Sequence, residues 1–250
     1  FQAKIKAARP QMEESNSEYM FEVGKRIKKE KGLIPMNYIV LDTETANTFD
    51  DPICYDCGWV VIDDCGNVLA TRSFVVADIF IYEKEMIKEA YFADKLPQYV
   101  ADIADGKRTL KRFKNIKKQL RMDCIEYEVE AIMAHNMRFD YLSTNTTQRW
   151  LTKSKYRYFM PYGIEIWDTL KMARQTIAKQ DEYIKFCEEN DYLCANGTPR
   201  LTAEIIYRYL TQNKDFEESH TGLEDCLIEK DIFLKCMEIN PNCEKKLWKD

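Results

Sequence analysis

The sequence predicts an α/β protein with a mixed central β-sheet flanked by helices. Two observations carry that expectation. An apolar run beginning at Tyr38 leads into a β-rich hairpin, and short apolar strand runs then alternate with helix-compatible segments.

Taken in order, residues 1–36 are polar and helix-compatible and include the basic run GKRIKKEKG, expected to be a helical or flexible extension that is either solvated or docks a partner. The stretch NYIVLDTETANTFDD, residues 37–51, opens the remaining domain, 37–250. Tyr38, Ile39, Val40 and Leu41 are aromatic, β-branched or large, and the run is too short for an independent helix, so a buried strand is expected. CGWVVIDDCGNVLATRSFVVA then shows two β-rich runs around Asp64-Cys65-Gly66-Asn67, a hairpin signal. Leu110, Phe113, Ile116 and Leu120 lie at helical spacing among seven basic residues from Arg108 to Arg121, which reads as a core stripe with a solvated basic face, the alternative being a nucleic-acid contact.

Ala131 to Ala134 is expected to be a short buried strand, followed by a helix from Phe139 to Leu151 with Asp140 near its start. Ile164, Ile166 and Trp167 form another strand, and Asp168 sits where a helix N-cap belongs. An insertion around 175–215 contains a turn at Asn196-Gly197 between helix-compatible runs. The last long helix carries Leu223, Leu227, Ile228, Ile232, Phe233 and Leu234, with Thr221 and Glu224 at capping-box spacing. His220 then precedes the cap and Asp225 is the fourth helical residue, the two positions that meet in a hydrophobic staple.

Composition narrows the function classes. No apolar run approaches the ~20 residues that span a bilayer, no signal-peptide pattern opens the chain, and nine scattered cysteines are an odd number, so a soluble cytoplasmic protein with reduced thiols and no membrane partner is expected. A net charge of -5 argues against a protein that coats nucleic acid electrostatically, yet it allows an enzyme that holds a few nucleotides.

Asp42 and Glu44 project from one face at the end of an apolar strand. Two unpaired carboxylates there repel each other, and a divalent cation such as Mg²⁺ would relieve them; the plain alternative is a strand end that has reached solvent.

The segments LDTETA, AHNMRFD and HTGLEDC occur in an order and spacing that resembles the three exonuclease motifs of the DnaQ-like DEDDh family, which includes proofreading subunits. The resemblance covers residues 37–237 and rests on a D-x-E, HNxxFD and H-x4-D triplet, while the long link before His220 resembles phage-encoded members. It implies a ribonuclease-H-like fold and 3′-to-5′ release of nucleoside monophosphates with two metal ions, Mg²⁺ or Mn²⁺. Asp42, Glu44, Asp140 and Asp225 become the metal ligands and His220 the general base, with Asp42 bridging the ions and Asp140 supporting the leaving-group side. Thr45, Asn47, Asn136 and Phe139 become expected substrate contacts, with core packing the alternative for Phe139, and His135 is left a role in supporting the site from outside it or in packing.

The implied substrate is a single-stranded DNA 3′ end, with an exoribonuclease acting on RNA 3′ ends as the alternative and a replication protein as an expected partner. Two other classes compete. Cys54 and Cys57 form C-x2-C with Cys65 further on, a zinc or redox signal, but no second pair follows at zinc-ribbon spacing. A noncatalytic binding module on the same fold would have no need for all four acids and the histidine.

Overall fold

A computed structural model describes residues 36–47, 50–155 and 157–248, so the expectation for residues 1–35 lies outside the described residues. Six strands form one sheet in the order β4-β3-β2-β1-β5-β6. They are β1 (Asn37–Ala46), β2 (Ile53–Ile62), β3 (Val68–Val76), β4 (Thr109–Lys111), β5 (Val129–Ala134) and β6 (Glu165–Asp168). β1, β2 and β3 pair antiparallel, whereas β4, β5 and β6 each join their neighbour in parallel, giving the mixed sheet.

The helices are α1 (Ala77–Phe80), α2 (Lys84–Lys88), α3 (Leu96–Ala104), α4 (Phe113–Glu126), α5 (Met137–Leu151), α6 (Thr169–Gln175), α7 (Asp181–Glu189), α8 (Ala203–Thr211) and α9 (Gly222–Ile239). No helix among the described residues is long and apolar enough to cross a membrane.

The pleat of β1 divides the core. Ile39 and Leu41 join a cluster that includes Phe113, Ile116 and Leu120 of α4, while Tyr38 and Val40 join another with Ile228, Ile232 and Phe233 of α9. Each such side chain contributes about 1.5–3 kcal/mol when fully buried, so the two faces together fix the register of β1. Asp42 and Glu44 continue the alternation of Tyr38 and Val40, towards α9.

The turn after β2 forms as its residues require. The Asp63 carboxylate accepts from the backbone N–H groups of Cys65 and Asn67 at 3.0 and 2.8 Å, and Gly66 takes φ +83°. Cys54 begins β2 and Cys65 lies beyond its far end, so the three cysteines do not converge as a zinc set.

Several details depart from the sequence expectation. Leu110 belongs to β4 and is 37% exposed, so the core stripe of α4 starts at Phe113. Leu227, expected on the buried face of α9, is 40% exposed. The capping box also differs: Thr221 is the N-cap but makes no side-chain cap bond, its hydroxyl donating to Glu224 Oε2 at 2.8 Å. Asp225 takes over the box, accepting the Thr221 N–H at 2.9 Å, because Glu224 is drawn outward to Arg108. Asp168 caps α6 as expected, accepting from Leu170 and Lys171.

The 175–215 region contains α7 and α8, whose Tyr183, Phe186, Ile205 and Ile206 pack in the same cluster as α9. It thus buttresses the helix that carries Asp225.

Candidate active site

Two glycines bring α9 onto the sheet. Gly58 of β2 lies opposite Asp42, and a Cβ on it would fall 2.3 Å from the Leu223 backbone nitrogen. A Cβ on Gly222 would in turn meet the Gly58 nitrogen at 2.9 Å and the Asp42 carbonyl at 3.1 Å. Only the absence of both side chains lets the start of the helix touch the strand beside Asp42. A bulge between Glu44 and Thr45 re-aims the end of β1 at the same place.

The expected residues converge there from three directions. Glu44, His220 and Asp225 bring ligand atoms within 4.8 Å of one another. Asp225 is held by the Thr221 N–H on Oδ2 and by the Ser219 hydroxyl on Oδ1 at 3.1 Å. Asp140, in the first turn of α5, accepts the Thr43 hydroxyl at 2.8 Å and is 3% exposed. Asp42 is partly buried, and its Oδ2 is shut off from solvent with no hydrogen-bond partner.

Burial is the first cause of unusual acidity throughout the cluster. It pushes Asp140 and Asp225 up to about 7 and Glu44 up to about 9, with Asp225 the largest neighbouring charge on Glu44. Asp42 is raised well above the carboxylate range by burial and then by Asp140, Glu229, Glu44 and Asp225. His220, half-buried, is lowered by burial, which keeps its imidazole neutral and able to accept a proton at neutral pH.

Glu44, Asp225 and His220 form the group within ligand reach of one another, while Asp42, with its orphaned buried oxygen, and Asp140 lie outside that group yet close enough to interact with its carboxylates. Such oxygen-rich donors suit divalent cations such as Mg²⁺ or Mn²⁺. Asp42, Glu44, Asp140 and Asp225 can supply them.

His135 stands apart from this chemistry. Its ring nitrogens lie 3.1 Å from the Thr169 hydroxyl and 2.6 Å from the Leu201 carbonyl, so the ring fastens the 175–215 region to β5. Among the expected substrate contacts, Thr45 is buried in β1, Asn47 is exposed with φ +54° and bonds the Asp51 carbonyl, and Phe139 is half-buried. Asn136 is exposed and left-handed at the N-cap of α5, its N–H donating to Asp168.

Sequence reasoning missed two groups. Glu229 lies one helical turn beyond Asp225, 3% exposed, and accepts the His135 backbone N–H at 3.0 Å, joining α9 to the end of β5. Its i+4 spacing from Asp225 was the available signal. Asp56 is fully buried in the middle of β2, where an acid in ICYDCGWVVI was equally visible. It accepts from Tyr99 at 2.7 Å, from the Gly222 N–H at 3.0 Å and from Arg108 at 3.4 Å. Arg108 also pairs with Asp102 and Glu224, clamping the start of α9, and no local pattern announced that partnership across 116 positions.

No protein-family model matches the chain, and no curated protein matches its sequence. Solved structures do. A 3′-exonuclease in a structure of 3′-end specific recognition of histone mRNA stem-loop matches with TM-score 0.54 and 12% identity over 84% of each chain. The chain has the ribonuclease-H-like fold of 3′-exonucleases. A full-length 3′-exonuclease matches with TM-score 0.51 and 14% identity, over 86% of this chain and 88% of that one. E. coli Exonuclease I, in complex with a dA16 oligonucleotide, matches with TM-score 0.51 and 16% identity over 82% of this chain; the match spans 41% of the Exonuclease I chain. At these identities the likeness concerns the fold.

Proposed function

We propose that this chain is a divalent-metal-dependent 3′-to-5′ exonuclease that hydrolyses phosphodiester bonds at single-stranded DNA ends and releases nucleoside 5′-monophosphates. The observation that carries the reading is the convergence of Asp42, Glu44, Asp140, Asp225 and His220 on one end of the sheet. These residues come from β1, α5 and the start of α9, so a structural role for any one of them would not bring all five together.

Asp42, Glu44, Asp140 and Asp225 would hold two divalent ions, which supply charge stabilisation for the attacking and leaving oxygens of an in-line displacement. The chain's own part is to present these carboxylates pre-aimed. Thr43 orients Asp140, while Ser219 and the Thr221 N–H orient Asp225. His220 accepts the proton of the attacking water, since burial keeps its imidazole neutral and it lies beside Glu44 and Asp225. The exonuclease unit runs over 37–250, with 175–215 as an insertion that shares a hydrophobic cluster with α9.

RNA is the alternative substrate, because the solved neighbours include structures described with an mRNA stem-loop and with a DNA oligonucleotide on this fold. Contacts to the 2′-hydroxyl decide between the two polymers. Digestion of end-labelled DNA and RNA of matched sequence, with Mg²⁺ and Mn²⁺ in turn, tests the assignment. Metal-dependent shortening of DNA is expected; degradation confined to RNA favours the alternative, and no degradation of either removes the reading.

A further inference from the structure

The imidazole of His220 lies face to face with the ring of Phe92, centroids 4.2 Å apart and planes 13° from parallel. Phe92 belongs to the segment between α2 and α3, remote in sequence from the motif that contains His220. Tyr91, 67% exposed, meets Phe92 edge-on at 4.8 Å and 89°. His220 itself has φ +52°, a left-handed backbone that non-glycine residues seldom adopt, and it precedes the helix rather than sitting within it.

A side chain at such a position has few neighbours from its own element to fix its torsions. A stacked aromatic face restrains the plane of an imidazole while leaving both ring nitrogens, which lie at its edge, free for proton transfer. His135 shows the contrast, since its two nitrogens are engaged by Thr169 and Leu201.

We propose that Phe92 is a positioning residue that orients the His220 ring towards the cluster it forms with Glu44 and Asp225. The proposal rests on the reading of His220 as general base. It assigns a role in turnover to the segment between α2 and α3, which contributes none of the carboxylates. Phe92 touches the histidine and acts through it, so its contribution exists only while His220 is present.

The test is a steady-state comparison on a short single-stranded oligonucleotide at saturating metal, using Phe92→Ala, Phe92→Leu and Phe92→Tyr, each alone and with His220→Ala. Thermal melting establishes that the variants are folded, and Phe92→Leu retains apolar volume where alanine leaves a gap. Loss of ring orientation is expected to lower kcat by about 10- to 100-fold in both the alanine and leucine variants, with KM within about twofold. Phe92→Tyr, which keeps the stacking face, should recover kcat to within about twofold. In the His220→Ala background, Phe92→Ala should change kcat by less than about twofold, because the group it orients has gone. Full activity in Phe92→Leu would reduce the contact to packing and overturn the proposal. So would an undiminished Phe92→Ala penalty in the absence of His220, or a rise in KM alone, which marks a substrate contact. If His220→Ala alone leaves kcat intact, the assignment of the base falls, and the Phe92 proposal with it; the preceding outcomes overturn only the role of Phe92.

Discussion

Glu44→Gln removes one charge from the acidic cluster while keeping the size of the side chain. Glu44 and Asp225 bring ligand atoms within 4.8 Å, and two unit charges at that separation repel by about 3.5 kcal/mol at an effective dielectric near 20. Burial first, and then this repulsion, keep a proton on Glu44 in the metal-free protein, raising its pKa from 4.5 to about 9. The unfolded chain releases that proton, so the associated stability is fully present below the unfolded pKa and is lost as pH rises towards the folded one. At about pH 7 the deficit relative to glutamine is ~3 kcal/mol, from ~1.4 kcal/mol per pH unit above the unfolded pKa. For a chain of 250 residues that corresponds to roughly 6–12 °C in Tm. Thermal melts in EDTA at about pH 5, 7 and 8.5 measure it. The variant should match the wild type near pH 5, exceed it at pH 7 and exceed it further at 8.5, while Mg²⁺ should raise the wild type more than the variant. A gap that does not change with pH, or a less stable variant at pH 7, would refute the reading of Glu44 as a buried carboxyl held protonated by its burial and its acidic neighbours.

Three further outcomes are expected. Asp42→Ala should abolish turnover with Tm in EDTA unchanged or higher, because Asp42 Oδ2 is buried without a partner among like charges; near-native activity at saturating Mg²⁺ would contradict its place in the site. His220→Ala should lower kcat by ~10²- to 10⁴-fold and weaken the acidic limb of the pH–rate profile, with partial recovery at higher pH, whereas His135→Ala should retain that limb and act through stability. Since the pKa of His220 is lowered, the limb should fall below the ordinary histidine value, and a pH–rate series on both variants reads it. Gly58→Ala would place a Cβ 2.3 Å from the Leu223 nitrogen, so displacement of the start of α9 should cost about 1–3 kcal/mol in melting together with most of the activity; a fully active variant would show that the close approach is dispensable.

The alternation in Tyr38–Glu44 was enough to place the strand, its buried faces and the two carboxylates, since a period of two has one solution when both faces are covered. The start of α9 and the proximity of His220 to Asp225 were equally legible, because helix entry geometry is local. The tertiary partners were not. Arg108 was read as part of a solvated basic face and is instead buried against Asp56, Asp102 and Glu224, a pairing that depends on how α3, β2 and α9 meet. That same pairing is why Glu224 left the capping box to Asp225. Glu229 hid among the apolar residues of its helix, and the stack of Phe92 on His220 had no sequence signal at all.

The proposed activity is directional, metal-dependent hydrolysis by the cluster around Asp42. It is tested most directly by incubating the wild-type protein and Asp42→Ala with two labelled single strands, one blocked at its 3′ end and one at its 5′ end, with Mg²⁺ or EDTA. Only the wild type with Mg²⁺ should shorten the 5′-blocked strand, releasing mononucleotides, while the 3′-blocked strand persists. Degradation of the 3′-blocked strand with the 5′-blocked one intact, or equal activity in Asp42→Ala, would contradict it.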